Sequence, residues 1–229
     1  MQAAVQVLED DPLFNAGRGS AFAADGTIEM DASIMNGQDL KGAGVASIHF
    51  TGHPVDLARA VMENTQYVLM VGSGADAFSK AQGLEQEPQS FFFTEMRWKE
   101  FEQVMRTSNR LIPPLPNGIQ LSPGPESPKD ISSTGLNARP LSHRFGTVGA
   151  VARDVKGHLA AATSTGDMQG KLPGRVGTHP SWAQGPMPMM AVVPYRARAL
   201  VNTSFGCRSR TASTVFAEQE NHQAVQLIT

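Results

Sequence analysis

The chain has 229 residues, 41% of them apolar and 17% charged, which is enough apolar material for one packed domain and excludes global disorder. Lys and Arg total 19 against 21 Asp and Glu, a formal charge of -2, which argues against a large nucleic-acid footprint. The single cysteine excludes an internal disulfide and a cysteine-only metal site.

No apolar run approaches the length of a membrane span, and Met1 to Val5 lacks a secretory pattern. The expectation is a soluble, cytoplasmic, mixed α/β chain with neither nucleic acid nor membrane as partner. In chain order, Met1 to Asp10 reads as the last turns of a helix, its face formed by Val5, Leu8 and the alanines, stopped by Asp11-Pro12. A glycine-punctuated loop, Phe14 to Ser20, leads to an acidic stretch around Glu29-Met30-Asp31. Ala43 to Phe50 reads as a buried strand, and His53-Pro54 opens an amphipathic helix to about Glu63. A short strand follows at Tyr67 to Val71, then helices at Gly74 to Gly83 and Arg97 to Thr107.

Residues 109–145 change character. Pro113, Pro114, Pro116, Pro123, Pro125, Pro128 and Pro140 lie among many Ser, Asn and Gly, a composition expected of a mobile linker. Order returns at Gly146. Thr147 to Asp154 and His158 to Ser164 are β-rich, and Val155-Lys156-Gly157 between them reads as a hairpin turn.

A threonine hydroxyl is a poor nucleophile without an adjacent base. Making the threonine the first residue of a chain supplies one, because its own α-amine takes the proton. An internal threonine reaches that state when the preceding peptide bond is cut. A glycine before it admits a strained geometry that most side chains would block. Gly146-Thr147, between a linker and a core strand, has this form, although a Gly-Thr pair alone also serves as an ordinary strand start.

The surroundings are more specific. Gly146-Thr147-Val148-Gly149-Ala150-Val151-Ala152, Ala160-Ala161-Ala162-Thr163-Ser164-Thr165-Gly166 and Lys171-Leu172-Pro173-Gly174-Arg175-Val176-Gly177 together resemble the plant-type L-asparaginase/isoaspartyl peptidase family of N-terminal nucleophile hydrolases. So do Leu8 to Gly17, Met30 to Met35, Pro54 to Thr65 and Val71 to Ala75. The resemblance implies an α/β (α+β) four-layer αββα sandwich, incomplete here, and hydrolysis of L-asparagine and β-aspartyl (isoaspartyl) dipeptides. It implies Thr147 as nucleophile, freed by autocatalytic cleavage after Gly146 into chains 1–146 and 147 onward. Thr165 would assist both steps, Arg175 would hold the substrate's α-carboxylate as a bidentate fork, and Asn15 would position the nucleophile's neighbourhood. No organic cofactor is implied; a structural sodium ion would be wrapped by the backbone carbonyls of Leu8, Glu9, Asp11, Phe14, Ala16 and Arg18. The processed enzyme would be a homo-oligomer, a dimer of αβ pairs.

Plainer readings stand beside these roles. Thr165 is also compatible with a simple strand residue, Arg175 with a solvated surface arginine, and Asn15 equally with a turn residue beside glycines. His53 reads as structural, none of the six histidines is assigned to chemistry, and Asp31 reads as a loop or packing acid rather than a base.

Two departures from the family pattern are expected to matter. The family begins with a strand and a His-Gly-Gly loop ahead of the point matching Met1, so the chain reads as N-terminally truncated. After Gly177 the family continues with an aspartate for the substrate's α-amine, and later a Thr-Gly pair forming the oxyanion hole. Here Thr178 takes the aspartate's place, and Thr178 to Thr229 contains neither Asp nor Lys. Back-translating Thr178 to Phe205 and reading from the third base of each codon permits the family's own continuation, Asp-Thr-Pro-Ile-Val-Gly-Ala-Gly first. Residues 178–229 therefore read as an out-of-frame tail after loss of one nucleotide at the Gly177 codon. An inactive frameshifted product is the alternative to an active enzyme. A remoter alternative is a dinucleotide-binding module at Gly72-Ser73-Gly74-Ala75-Asp76-Ala77, with Glu95 roughly 20 residues on.

Overall fold

The computed structural model describes residues 1–116, 119 and 146–177, together with the backbone of two strands further on. Five helices precede the hairpin: α1 Gln2–Asp10, α2 Pro54–Asn64, α3 Gly72–Ala81, α4 Gln89–Phe92 and α5 Glu95–Thr107. Seven strands are β1 Met30–Asn36, β2 Lys41–Ile48, β3 Leu69–Val71, β4 Val148–Arg153, β5 Leu159–Thr165, β6 Thr214–Gln219 and β7 Gln223–Ile228. They form one mixed sheet in the order β3-β2-β1-β5-β4-β7-β6, with only the β2–β3 pair parallel.

The helices follow local rules. The residue after α1, Asp11, is extended because Pro12 follows it, and the helix buries Val5, Leu8 and Glu9. Pro54 stands in the first turn of α2, where an N–H would have no intrahelical partner. Thr94 caps α5 by accepting the Arg97 N–H at 3.3 Å. Helix α1 packs on β4 and β5, and α2 on β1 and β2. Trp98 and Phe101 of α5 close on Phe22, with ring centroids 5.2 and 5.6 Å away.

Strand β1 occupies the stretch read from the sequence only as acidic, with Asp31 as a loop or packing acid. Residues 30–35 are all buried, so the strand is covered on both faces. Its polar members are satisfied at long range, which local patterning does not reveal. A bulge between Met30 and Ala32 places Ser47 of β2 at φ 50°, and Asp31 Oδ1 accepts the Ser47 N–H at 2.9 Å. Ser33 Oγ lies 2.8 Å from Thr163 Oγ1 on β5. Asp31 is thus a packing acid, on a strand.

Smaller shifts occur elsewhere. The expected strand at Tyr67 is confined to Leu69–Val71, at the sheet edge, and α3 starts two residues early, at Gly72. The hairpin β4–β5 forms in the expected place, Val148 opposite Ser164 and Arg153 opposite Leu159.

The first eight residues of the expected linker, 109–116, are docked. Arg110 Nη1 donates to Gly170 O at 2.6 Å, and Ile112 and Leu115 pack against the core. The rest of that stretch except Ile119, and residues 178–213, lie outside the described residues. Strands β2 and β3 with α2 between them form a parallel crossover, but the Gly72–Ala77 turn follows its outer, exposed strand, and among the described residues no further parallel strand follows α3. No described helix is long and apolar enough to cross a membrane.

Candidate active site

The hairpin register carries Thr147, just before β4, opposite Thr165, the last residue of β5. The Thr147 hydroxyl donates to Thr165 Oγ1 at 2.9 Å, and Thr165 is fully buried. Thr165 Oγ1 also accepts the backbone N–H of Asp167 at 2.9 Å. A hydroxyl oxygen taking two donors is fixed in orientation, with its own proton directed elsewhere.

Asn15 stitches the loop after α1 to both sides of this pair. Its backbone N–H donates to the Gly146 carbonyl at 3.2 Å, and its own carbonyl accepts the Gly166 N–H at 2.9 Å. Its side chain accepts Ala21 N–H at 2.8 Å and donates to Asp167 O at 2.5 Å. These contacts leave no room at Gly166, where a Cβ would fall 2.5 Å from Ala21 N and 2.6 Å from Asn15 Oδ1. Gly146 behaves otherwise. Among the described residues a Cβ there would meet nothing within 4 Å, and its φ is not left-handed. The spatial reason expected for glycine before the threonine is absent from the uncut geometry.

Arg175 reaches the pair through one intermediary. Its Nη1 donates to Asp167 Oδ1, and its side chain stays 39% exposed. The turn Asp167 to Gly177 is fastened to β1 and its neighbours. Glu29 accepts the Gly174 N–H at 2.9 Å, Asp31 Oδ2 accepts the Gly177 N–H at 2.7 Å, and the buried Lys171 Nζ donates to Glu29 O at 3.1 Å. Burial pushes the Asp31 carboxyl above its ordinary range, against the pull of the Ser47 and Gly177 N–H groups. Glu29, Asp31, Asp167 and Lys171 organise the site without having been singled out as site residues. Lys171 lay inside a recognised motif, and Asp31 looked like packing alone.

The loop Leu8 to Arg18 brings carbonyls together. A Cβ at Gly19 would fall 2.5 Å from Pro12 O and 2.6 Å from Phe14 O, and one at Gly17 would fall 2.5 Å from Glu9 O. Of the six carbonyls expected around a cation, those of Glu9 and Phe14 are among these, at two different glycines. Glu9 O accepts the Arg18 N–H at 2.7 Å and Asp11 O the Phe14 N–H at 3.1 Å, each keeping a second lone pair. Arg97, almost fully buried, donates to Leu13 O and Gly19 O and closes the loop from outside. Among the described residues no group of three His, Cys, Asp or Glu side chains could hold a metal.

The Glu9 side chain, on which the sequence reading makes no claim, is fully buried beneath α2. Its Oε1 accepts the Val55 N–H at 3.1 Å, and Oε2 has no hydrogen-bond partner among the described residues. Burial pushes its carboxyl up from 4.5 to about 8, so it is neutral at pH 7. The folded chain then holds a proton that the unfolded chain has released. The associated stability is complete below about pH 4.5 and is lost as pH rises through about 8. Glu9→Gln should therefore raise the urea midpoint at pH 8 while leaving it nearly unchanged at pH 4.5. Between those limits the wild-type slope should be up to about 1.4 kcal/mol per pH unit steeper. Equal effects at both pH values would contradict it.

A threonine heading an inner strand, a second threonine hydroxyl upon it, and a main-chain donor on the preceding carbonyl, all on a mixed α+β sheet, are consistent with the N-terminal nucleophile class of hydrolases. The profile of the Asparaginase family matches residues 1–187, and the chain belongs to that family. It is 42% identical over 177 residues to the isoaspartyl peptidase of Salmonella typhimurium, covering 77% of this chain and 50% of the relative. To the isoaspartyl peptidase/L-asparaginase of Rattus norvegicus it is 40% identical, covering 81% of this chain and 48% of the relative. The Homo sapiens protein of the same name is 37% identical, with 81% and 52% covered. The chain spans about half the length of these curated relatives. Residues 72–77 lie within the stretch that the family profile matches.

Proposed function

We propose that the chain carries the self-activating threonine site of an amidohydrolase acting on L-asparagine and β-aspartyl dipeptides. The observation that carries this reading is the 2.9 Å bond from the Thr147 hydroxyl to Thr165 Oγ1, directly beside a Gly146 carbonyl held by Asn15 N–H.

In the uncut chain, Thr147 Oγ1 adds to the Gly146 carbonyl carbon and its proton passes toward Thr165 Oγ1. Negative charge develops on Gly146 O, where the Asn15 N–H already points. Collapse breaks the C–N bond between Gly146 and Thr147. The nitrogen leaves with a proton as the Thr147 α-amine, and water cleaves the ester to leave Gly146 as a carboxylate. In turnover that α-amine takes the Thr147 hydroxyl proton as Oγ1 attacks the substrate amide. Arg175 holds the α-carboxylate. A sodium ion held by the carbonyls of Leu8, Glu9, Asp11, Phe14, Ala16 and Arg18 would fix the loop carrying Asn15. The completed fold on this reading is the four-layer sandwich, assembled as a dimer of αβ pairs in the cytoplasm.

A second reading, that the chain as written is an inactive frameshifted product, is favoured by Thr178 in the place of an aspartate. Residues 188–229 also lie outside the family match. The test of the proposed chemistry is product analysis on a version with its frame restored after Gly177 and extended to the relatives' length. It should release ammonia from L-asparagine and free aspartate from β-aspartyl dipeptides. Release of neither product would overturn the substrate assignment.

A further inference from the structure

Arg175 is the side chain proposed above for a ligand's carboxylate, and its guanidinium already holds one. Nη1 donates to Asp167 Oδ1. Asp167 is tied at every polar point except one. Its N–H donates to Thr165 Oγ1 at 2.9 Å, its carbonyl accepts Asn15 Nδ2 at 2.5 Å, and its Oδ2 stands 3.7 Å from Lys171 Nζ. The side chain is only 7% exposed, and Oδ2 has no hydrogen-bond partner among the described residues.

The carboxylate has two cationic neighbours, Arg175 on Oδ1 and the buried Lys171 3.7 Å from Oδ2. Asp167 has φ 69°, in the left-handed region where aspartate and asparagine are the commonest residues after glycine. Lys171 also donates to the Glu29 carbonyl at 3.1 Å and stands 3.7 Å from the Glu29 carboxylate. A buried carboxylate two residues after Thr165 therefore already occupies the guanidinium of Arg175.

We infer that Asp167 is a specificity-determining residue, a resident carboxylate that competes with a ligand's carboxylate for Arg175. The inference rests on the reading of Arg175 as the carboxylate site. A guanidinium shared with Asp167 carries less net positive charge, and a second carboxylate upon it lies beside a like charge. Entry is thereby restricted to ligands whose remaining contacts outweigh that repulsion.

The experiment is calorimetric titration of the chain with succinate, which carries carboxylates and no ammonium group. Asp167→Asn and Asp167→Gly both suit a left-handed backbone, so either one keeps the test alive if the other fails to fold. Each should bind succinate about 2- to 5-fold more tightly than the unaltered chain, the scale of one relieved, partly exposed like-charge contact. In an Arg175→Gln background the gain should vanish. Unchanged or weaker binding in both Asp167 variants, or a gain that survives without Arg175, overturns the inference alone. Succinate affinity indifferent to Arg175→Gln by itself overturns the reading of Arg175. Absence of binding in every variant overturns both.

Discussion

Thr147→Ala should leave the frame-restored polypeptide whole at Gly146 and abolish amide hydrolysis, a loss on the order of 10⁴- to 10⁶-fold in turnover, as for other lost nucleophiles. The reason is that one oxygen serves twice. Thr147 Oγ1 lies against Thr165 Oγ1, and Asn15 N–H holds the preceding carbonyl, so on the proposed mechanism it is the atom that attacks the peptide bond. After cleavage the same atom, now beside a free α-amine, is the one placed to attack substrate. Thr147→Ser keeps both the hydroxyl and the potential amine, so it should still cut, at a reduced rate because serine loses the methyl that restricts χ1. The check is electrophoresis of each purified variant followed by an ammonia-release assay. A Thr147→Ala protein that cuts itself normally would remove Thr147 from the chemistry.

The second large effect separates the chain as written from its frame-restored counterpart. As written it should release no measurable ammonia from L-asparagine. Thr178 offers no charge to a substrate ammonium, a contact whose loss from a buried pair costs on the order of a few kcal/mol. The tail also lacks the Thr-Gly pair expected to stabilise the tetrahedral oxyanion, and each missing donor of that kind costs about 100- to 1,000-fold in rate. One loss acts on binding and the other on the chemical step, so together they take turnover below detection. Ammonia release by the chain as written, abolished by Thr147→Ala, would show that residues 178–229 supply a pocket of their own.

Legibility in the sequence followed the range of the interactions. The β4–β5 hairpin was readable because two β-rich runs flank a short turn, and α1 and α2 because proline and apolar spacing mark them locally. Thr147 and Thr165 were readable through the motifs around them, and the hairpin register explains why they meet. Strand β1 was not, since Asp31 and Ser33 look like loop residues until Ser47, Gly177 and Thr163 arrive from distant segments to satisfy them. The Asp167–Arg175 pair was hidden for a related reason. It depends on a turn whose course is set by Glu29, Asp31 and Lys171 together. The buried acid at Glu9 was read for its carbonyl alone, whereas its side chain is the strongly perturbed group.

Intact mass and N-terminal sequencing of the frame-restored protein test the role of the Gly146-Thr147 bond most directly. The predicted result is two fragments, the second beginning Thr147-Val148-Gly149, with the first ending at Gly146. A single chain that persists through prolonged incubation at neutral pH, or a break at any other bond, would contradict it.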